Sequence, residues 1–146
     1  MTKERSYVND KIEYYRSLLP AEKYAHPGVY SITVNGEVVY VGKARDMSIR
    51  VATHMYLTYC LNHTTAGKKF KYGELLRALQ AGYDINFDVL YTSPLSCEED
   101  PQKIEDDIGP QEAKYINKYM PKLNKQIPYV DNYHKYVNKN YEKLAI

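Results

Sequence analysis

The chain has 146 residues, of which 44% are hydrophobic, and a formal net charge of +2. This length suits one compact domain over residues 1–146, and so small a net charge does not by itself indicate a nucleic-acid partner. No apolar run reaches the roughly 20 residues that span a bilayer, and the start, MTKERSYVNDK, does not resemble a secretory signal. Because the two cysteines lack metal-ligand spacing, we expect a reduced, cytoplasmic protein without membrane contacts.

Apolar residues at helical spacing predict an N-terminal helix over residues 6–19, ending at Pro20. Two β-rich runs follow, GVYSITV and EVVYVG, and Asn35-Gly36 between them is typical of a tight hairpin turn. Asp46 has the character of an N-cap and predicts a helix over residues 47–61.

The second half of the chain alternates again between helical and extended patterns. After a predicted loop over residues 62–71, residues 72–81 predict a helix closed by Gly82. The run DINFDVLYT predicts a strand that places four apolar side chains on one face: Ile85, Phe87, Val89 and Tyr91. Helical patterns then cover residues 98–107 and 111–119, separated by a break at Gly109-Pro110. This order predicts an α/β fold with a small, mainly antiparallel three-stranded sheet flanked by helices.

Charge is distributed unevenly along the chain. Residues 98–107 carry six acidic residues and one lysine, which is typical of a solvated helix start. The tail, residues 125–146, is rich in lysine and tyrosine, and Lys135 and Lys139 are candidate phosphate contacts beside aromatic stacking partners. The alternative is a solvated helix face whose tyrosines pack on the body of the protein. With 17 tyrosines, two phenylalanines and no tryptophan in the chain, most tyrosines are expected to be packing residues.

Several short motifs follow one another between residues 28 and 124. Gly28-Val29-Tyr30 and Tyr40-Val41-Gly42 flank the predicted turn, Arg50 and His54 lie on the predicted helix, and Glu112 and Asn124 come later. Their order and spacing resemble the GIY-YIG nuclease family, with Val in place of Ile in the first motif. Lys43 and the spacing of PKLN after Glu112 are most similar to the nuclease domain of the bacterial excision-repair incision subunit. His63 is instead similar to a position in phage homing endonucleases of the family.

The resemblance implies a catalytic set of Tyr30, Tyr40, Lys43, Arg50, His54 and Glu112. Glu112 would hold Mg²⁺ or Mn²⁺, Arg50 would contact the scissile phosphate, and Gly42 and Asn124 would lie against substrate. The resemblance favours Tyr30 as general base, which requires its pKa to fall by roughly two to three units from about 10. His54 is the alternative, because an imidazole titrates near neutrality without help.

A shared role for Tyr30 and Tyr40 constrains the hairpin. A regular two-residue turn would pair Val34 with Glu37 and Tyr30 with Val41, which sends Tyr30 and Tyr40 to opposite faces of the sheet. We therefore predict a bulge or an odd-numbered connection.

The function implied by the resemblance is a Mg²⁺-dependent endonuclease that hydrolyses DNA phosphodiester bonds, of phage, mobile-element or restriction type. RNA is the less favoured substrate, and cutting both strands would require a homodimer or successive nicks. The alternative is an inactive module with this fold that binds nucleic acid or a protein partner. Retention of Tyr30, Arg50 and Glu112 favours the enzyme.

Overall fold

The computed structural model describes residues 3–60 and 70–126, with side chains from residue 7 onwards. Helix α1 spans Lys3–Ser17 and the short helix α2 spans Ala21–Tyr24; strands β1 and β2 span Gly28–Val34 and Glu37–Ala44. Helix α3 (Met47–Tyr59), helix α4 (Phe70–Gln80), strand β3 (Ile85–Thr92) and helix α5 (Pro101–Tyr119) follow, and a 3₁₀ turn spans Lys122–Lys125. The predicted α/β class with a three-stranded antiparallel sheet is confirmed, in the order β2-β1-β3.

The hairpin between β1 and β2 confirms the predicted turn and the predicted irregularity. Asn35 and Gly36 both have positive φ values, 50° and 84°, as a tight primed turn requires. Val34 pairs with Glu37, but the register shifts between Ile32 and Thr33, so that Val39 is the extra residue on β2. This bulge pairs Ile32 with Tyr40 and Tyr30 with Gly42. Tyr40 therefore shares a face with Tyr30, because residues two apart on a strand point the same way.

A second bulge corrects the prediction for β3. The register against β1 shifts between Val29 and Tyr30, and Leu90 is the additional residue on β3. Phe87 and Val89 lie opposite Ile32 and Tyr30 as expected, whereas Tyr91 lies opposite Val29 on the other face. There its hydroxyl donates to the carboxylate of Asp107 on α5, at 3.0 and 3.1 Å from the two oxygens.

The two faces of the sheet are covered by different helices. One face carries Tyr30, Ile32 and Tyr40 and packs against α3, α4 and the 3₁₀ turn, with buried partners that include Met47, Val51, Leu75 and Leu123. The other face packs against α5, which buries Ile104 and Ile108. Helix α1 packs on α3. Within the described ranges, 3–60 and 70–126, no helix is both long and apolar enough to cross a bilayer.

Several helix boundaries differ from the sequence prediction. The N-terminal helix ends at Ser17 rather than residue 19, because Leu18 and Leu19 form i to i+3 backbone bonds before Pro20. Asp46 caps α3 as expected, accepting from the Ser48 N–H at 3.0 Å. Helix α4 ends at Gln80, and Gly82, which follows it, has a positive φ of 82°. Helix α4 already begins at Phe70, and the rest of the predicted loop lies outside the described residues.

The predicted break at Gly109-Pro110 is wrong, because α5 is one continuous helix of 19 residues. It begins at Pro101 after an Asp100 cap that accepts from Lys103 N–H at 3.2 Å. Pro110 cannot donate to the carbonyl of Asp106, but this part of the helix is exposed to solvent. The buried contacts of Ile104 and Ile108 against the sheet outweigh the lost helix bond.

We expect Pro110→Ala to stabilise the protein. Proline inside a helix costs about 3 kcal/mol, and removing it returns about 0.4–1 kcal/mol of freedom to the unfolded chain, so we expect a gain of about 2 kcal/mol. Urea unfolding measures the change as a shift in midpoint at constant slope. Pro101→Ala is the matched control, since proline suits the first helical turn, and we expect a change of under about 1 kcal/mol. A loss of stability in Pro110→Ala would contradict this account of α5.

Candidate active site

The aromatic residues of the two hairpin motifs meet on one face of the sheet. The rings of Tyr30 and Tyr40 have centroids 6.3 Å apart, which is consistent with a shared role. Gly42, the cross-strand partner of Tyr30, supplies space rather than a group of its own. A methyl group at Gly42 would lie 2.5 Å from the Tyr30 hydroxyl and 2.7 Å from its ring carbon Cζ. Gly42 thus leaves the space that the Tyr30 hydroxyl occupies.

His54 links this pair to helix α4 through two short hydrogen bonds. Its Nε2 lies 2.6 Å from the Tyr30 hydroxyl, and its Nδ1 lies 2.6 Å from the hydroxyl of Tyr72. All three side chains are buried, with exposed fractions of 1% for Tyr30, 2% for His54 and 6% for Tyr72. A neutral imidazole has one N–H and one lone pair, so one tyrosine donates to the ring and the other accepts from it.

Burial keeps Tyr30, His54 and Tyr72 uncharged at neutral pH. Desolvation lowers the pKa of His54 to about 2, and the positive charges of Lys71 and Arg50 act in the same direction. The pKa of Tyr30 is raised far above its usual value, because desolvation outweighs the opposing charge of Arg50. Desolvation raises the pKa of Tyr72 as well. Burial thus moves the pKa of Tyr30 away from the direction that a general base requires, and it moves the pKa of His54 away from neutrality.

A cleft of about 320 Å³ lies beside the buried hydrogen bond between His54 and Tyr72. Its walls include Tyr40, Arg50 and His54, together with Lys71 and Tyr72 from the start of α4. Arg50 and His54 thus share one face of α3, as their spacing predicted. The Lys71 ammonium lies 4.1 Å from the centroid of the Tyr40 ring. Two cationic groups and a phenol at one opening form a suitable site for a phosphate group.

Glu112 lies on α5, close enough to act electrostatically on both motif tyrosines. After desolvation, its charge is the next largest cause of the raised pKa of Tyr40, and it also raises that of Tyr30. Burial and the charge of Glu105 raise the pKa of Glu112 itself, while Lys43 opposes them. The side chain of Glu112 is 23% exposed.

Lys43 bridges Glu105 and Glu112 on the far side of the sheet from His54. Its ammonium hydrogen-bonds to Glu105, and it lies 3.8 Å from Glu112. A hydrogen bond to Glu105 is the main cause of the raised Lys43 pKa. Gly109 adjoins this pair, because a methyl group there would lie 2.9 Å from the Glu105 carboxylate. The structure thus engages Lys43 with two carboxylates of α5.

The donor chemistry at Glu112 fits a hard divalent cation. A carboxylate oxygen is the ligand type that Mg²⁺ prefers, and Mg²⁺ commonly keeps several waters and needs few protein ligands. Two carboxylates share one ammonium at this place, which leaves an excess of negative charge. In the described part of the chain no group of three His, Cys, Asp or Glu side chains is arranged to hold a metal. Glu112 is the residue that would hold such a cation.

Asn124 anchors the edge of the sheet instead of pointing freely into the cleft. Its Oδ1 accepts from the Val41 N–H and its Nδ2 donates to the Val41 carbonyl, both at 2.8 Å. Strand β2 is an edge strand, so these bonds satisfy backbone groups that face away from β1. The structure thus gives Asn124 a role in holding β2 beside Tyr40. The other candidates, His63, Lys135 and Lys139, lie outside the described residues.

Sequence reasoning missed three residues of this site. Glu105 lies seven residues, or two helical turns, before Glu112, but the predicted break at Gly109-Pro110 hid that relation. Tyr72 and Lys71 begin a helix whose position relative to His54 depends on tertiary packing, and no spacing in the sequence relates them.

A scan against protein-family models found no match, and searches of curated proteins and of solved structures found no protein similar to this chain.

The buried His54 predicts a pH-dependent stability. Its pKa is about 2 in the folded protein and about 6.5 when unfolded, so below pH 6.5 the unfolded chain binds more protons. This contribution is complete above pH 6.5 and is lost at about 1.4 kcal/mol per unit below it. From pH 7.5 to 5 we expect His54 to account for a loss of about 2 kcal/mol in the free energy of unfolding.

Urea unfolding of His54→Gln at pH 7.5 and at pH 5 tests this. The variant should be less stable overall, but its free energy of unfolding should lack the pH-dependent loss that His54 causes in the wild type. His26→Gln is the matched control and should show the wild-type loss. Equal losses in the wild type and in His54→Gln would show that His54 is not buried in its neutral form.

Proposed function

We propose that this chain is a metal-dependent endonuclease of the GIY-YIG type that hydrolyses phosphodiester bonds in DNA. The observation that carries the proposal is the clustering of Tyr30, Tyr40 and His54 beside a cleft that Arg50 also lines, with Glu112 acting electrostatically on the tyrosines. These residues come from two strands and two helices, and together they supply the groups that phosphodiester hydrolysis requires. The choice of DNA follows the family resemblance.

The first requirement is recognition of the scissile phosphate. Arg50 presents a planar guanidinium that can bond two phosphate oxygens at once, and Lys71 adds a second positive charge at the same opening. Tyr40 is half-buried at the same cleft and can donate a hydrogen bond to a phosphate oxygen or to the attacking water. These donors lie at one opening, so they can stabilise the charge that develops on the phosphoryl group.

The second requirement is a base for the attacking water. Tyr30 is an uncharged phenol, so it can accept a proton from water only as its own proton leaves for Nε2 of His54, 2.6 Å away. As the proton moves, the water oxygen bonds to phosphorus and the bond from phosphorus to the 3′ oxygen breaks. The products are a 5′-phosphate and, after the leaving oxygen gains a proton, a 3′-hydroxyl.

The third requirement is charge stabilisation at the leaving oxygen. A Mg²⁺ or Mn²⁺ ion bound at Glu112 would supply Lewis-acid chemistry at the phosphate. Within the protein, Lys43 restrains the Glu112 carboxylate at 3.8 Å and hydrogen-bonds at the same time to Glu105. Because Glu105 engages Lys43 more closely, Glu112 retains oxygen lone pairs for a cation.

Glu112→Gln is the substitution that tests this assignment. It keeps the shape of the side chain and removes its charge, so we expect Mg²⁺-dependent nicking of supercoiled plasmid to fall by at least about 100-fold. We expect DNA binding in EDTA, measured by fluorescence anisotropy, to be retained, because Arg50 and Lys71 are unchanged.

Asp106→Asn is the matched control, since Asp106 is an exposed acid on the same helix. It should cleave at the wild-type rate. Wild-type protein that binds plasmid and branched DNA but cuts neither with Mg²⁺ or Mn²⁺ would refute the endonuclease and favour a binding module. Cleavage confined to RNA would refute the assignment of DNA as substrate.

A further inference from the structure

We propose that Tyr72 is the outer member of a proton relay that begins at Tyr30 and passes through His54. The proposal rests on the proposed function, because the relay removes the proton of the attacking water. Tyr72 belongs to none of the motifs that resemble the nuclease family, and it lies on α4 instead of the strands or the motif helix. It does not touch the reacting water and acts through His54.

The geometry is that of a continuous hydrogen-bonded chain. Tyr30 and Tyr72 bond to opposite nitrogens of one imidazole, each at 2.6 Å, which is short for a hydrogen bond between an oxygen and a nitrogen. Tyr72 also lines the cleft of about 320 Å³, so this end of the hydrogen-bonded chain lies at the cleft wall. The hydrogen bonds therefore lead from the Tyr30 hydroxyl to the wall of the cleft.

Electrostatics explain why two residues beyond Tyr30 are needed. A phenolate at Tyr30 and an imidazolium at His54 are both disfavoured, since both groups are buried and two cations, Arg50 and Lys71, lie near the ring. If His54 accepted a proton at Nε2 and kept the one at Nδ1, it would become a buried cation. An oxygen beyond Nδ1 that can take up that second proton avoids the charge.

The protons balance along the chain. Before the step, the Tyr30 hydroxyl donates to Nε2, the Nδ1–H donates to the Tyr72 oxygen, and Tyr72 donates to water in the cleft. During the step, the attacking water gives a proton to Tyr30, Tyr30 gives its own to Nε2, Nδ1 gives its proton to Tyr72, and Tyr72 releases one to cleft water. One proton enters and one leaves, and every side chain in the relay ends neutral, with His54 in its other tautomer.

Tyr72→Phe tests the relay because it keeps the ring and removes only the hydroxyl. We expect kcat for plasmid nicking to fall by about 10- to 100-fold, while KM and the Mg²⁺ concentration for half-maximal rate stay unchanged. Tyr24→Phe is the matched control. Tyr24 is also buried, and its hydroxyl bonds to the Phe87 carbonyl at 3.3 Å, outside the relay. It should cleave at the wild-type rate.

A measurement independent of activity is the ¹⁵N spectrum of His54. We expect the Nδ1–H tautomer in the wild-type protein and the Nε2–H tautomer in Tyr72→Phe, where a buried Nδ1–H would have no acceptor. Wild-type kcat in Tyr72→Phe, or a wild-type His54 protonated at Nε2, would overturn the relay and leave the endonuclease standing. Absence of cleavage by the wild-type protein would instead overturn the proposed function itself.

Discussion

A single extra residue on strand β2 places Tyr30 and Tyr40 on the same face of the sheet. In a regular hairpin with this turn, Tyr30 and Tyr40 would point to opposite faces. The bulge at Val39 changes the register, so that Tyr40 pairs with Ile32 and joins Tyr30 on the face covered by α3 and α4. The position of Gly42 opposite Tyr30 depends on the same shift, and a methyl group there would lie 2.5 Å from the Tyr30 hydroxyl that bonds to His54.

Burial on that face explains why the side chains are neutral. The tyrosines and His54 are enclosed by the sheet and two helices, and in that environment hydrogen bonds replace charge as the means of holding the groups in place. His54 is bonded at both nitrogens, which fixes the orientation of its ring. Charge is instead concentrated at the margins of the cluster, where Arg50 and Lys71 line the cleft and Glu112 lies on the opposite helix. A phosphate would thus meet cations at the rim and an uncharged proton acceptor behind them.

The parts of this arrangement that depend on local sequence could be predicted. The Asn35-Gly36 turn, the Asp46 cap and the proximity of Arg50 and His54 are set within a few residues, and the bulge follows from the parity of the hairpin once two tyrosines are required on one face. The side of the sheet taken by Tyr91 could not be predicted, because a bulge at Leu90 has no signature in an otherwise alternating strand. The contact between Tyr72 and His54 depends on how α4 docks after a long connection, which is a property of the whole fold. The protonation of Tyr30 and His54 likewise depends on burial, and burial cannot be read from their spacing.

Helix α5 is continuous although the local sequence predicts a break at Gly109-Pro110, and this continuity sets the positions of Glu105 and Glu112. Pro110 and Gly109 are typical helix breakers, yet the helix continues because Ile104 and Ile108 bury its inner face against the sheet. Glu105 and Glu112 are consequently two turns apart on one face, close enough for Lys43 to reach both carboxylates. The glycine beside the proline also has a use in this geometry, since Gly109 leaves room for the Glu105 carboxylate where it meets Lys43. Gly109, a typical helix breaker, is therefore part of the surface that carries Glu105 and Glu112.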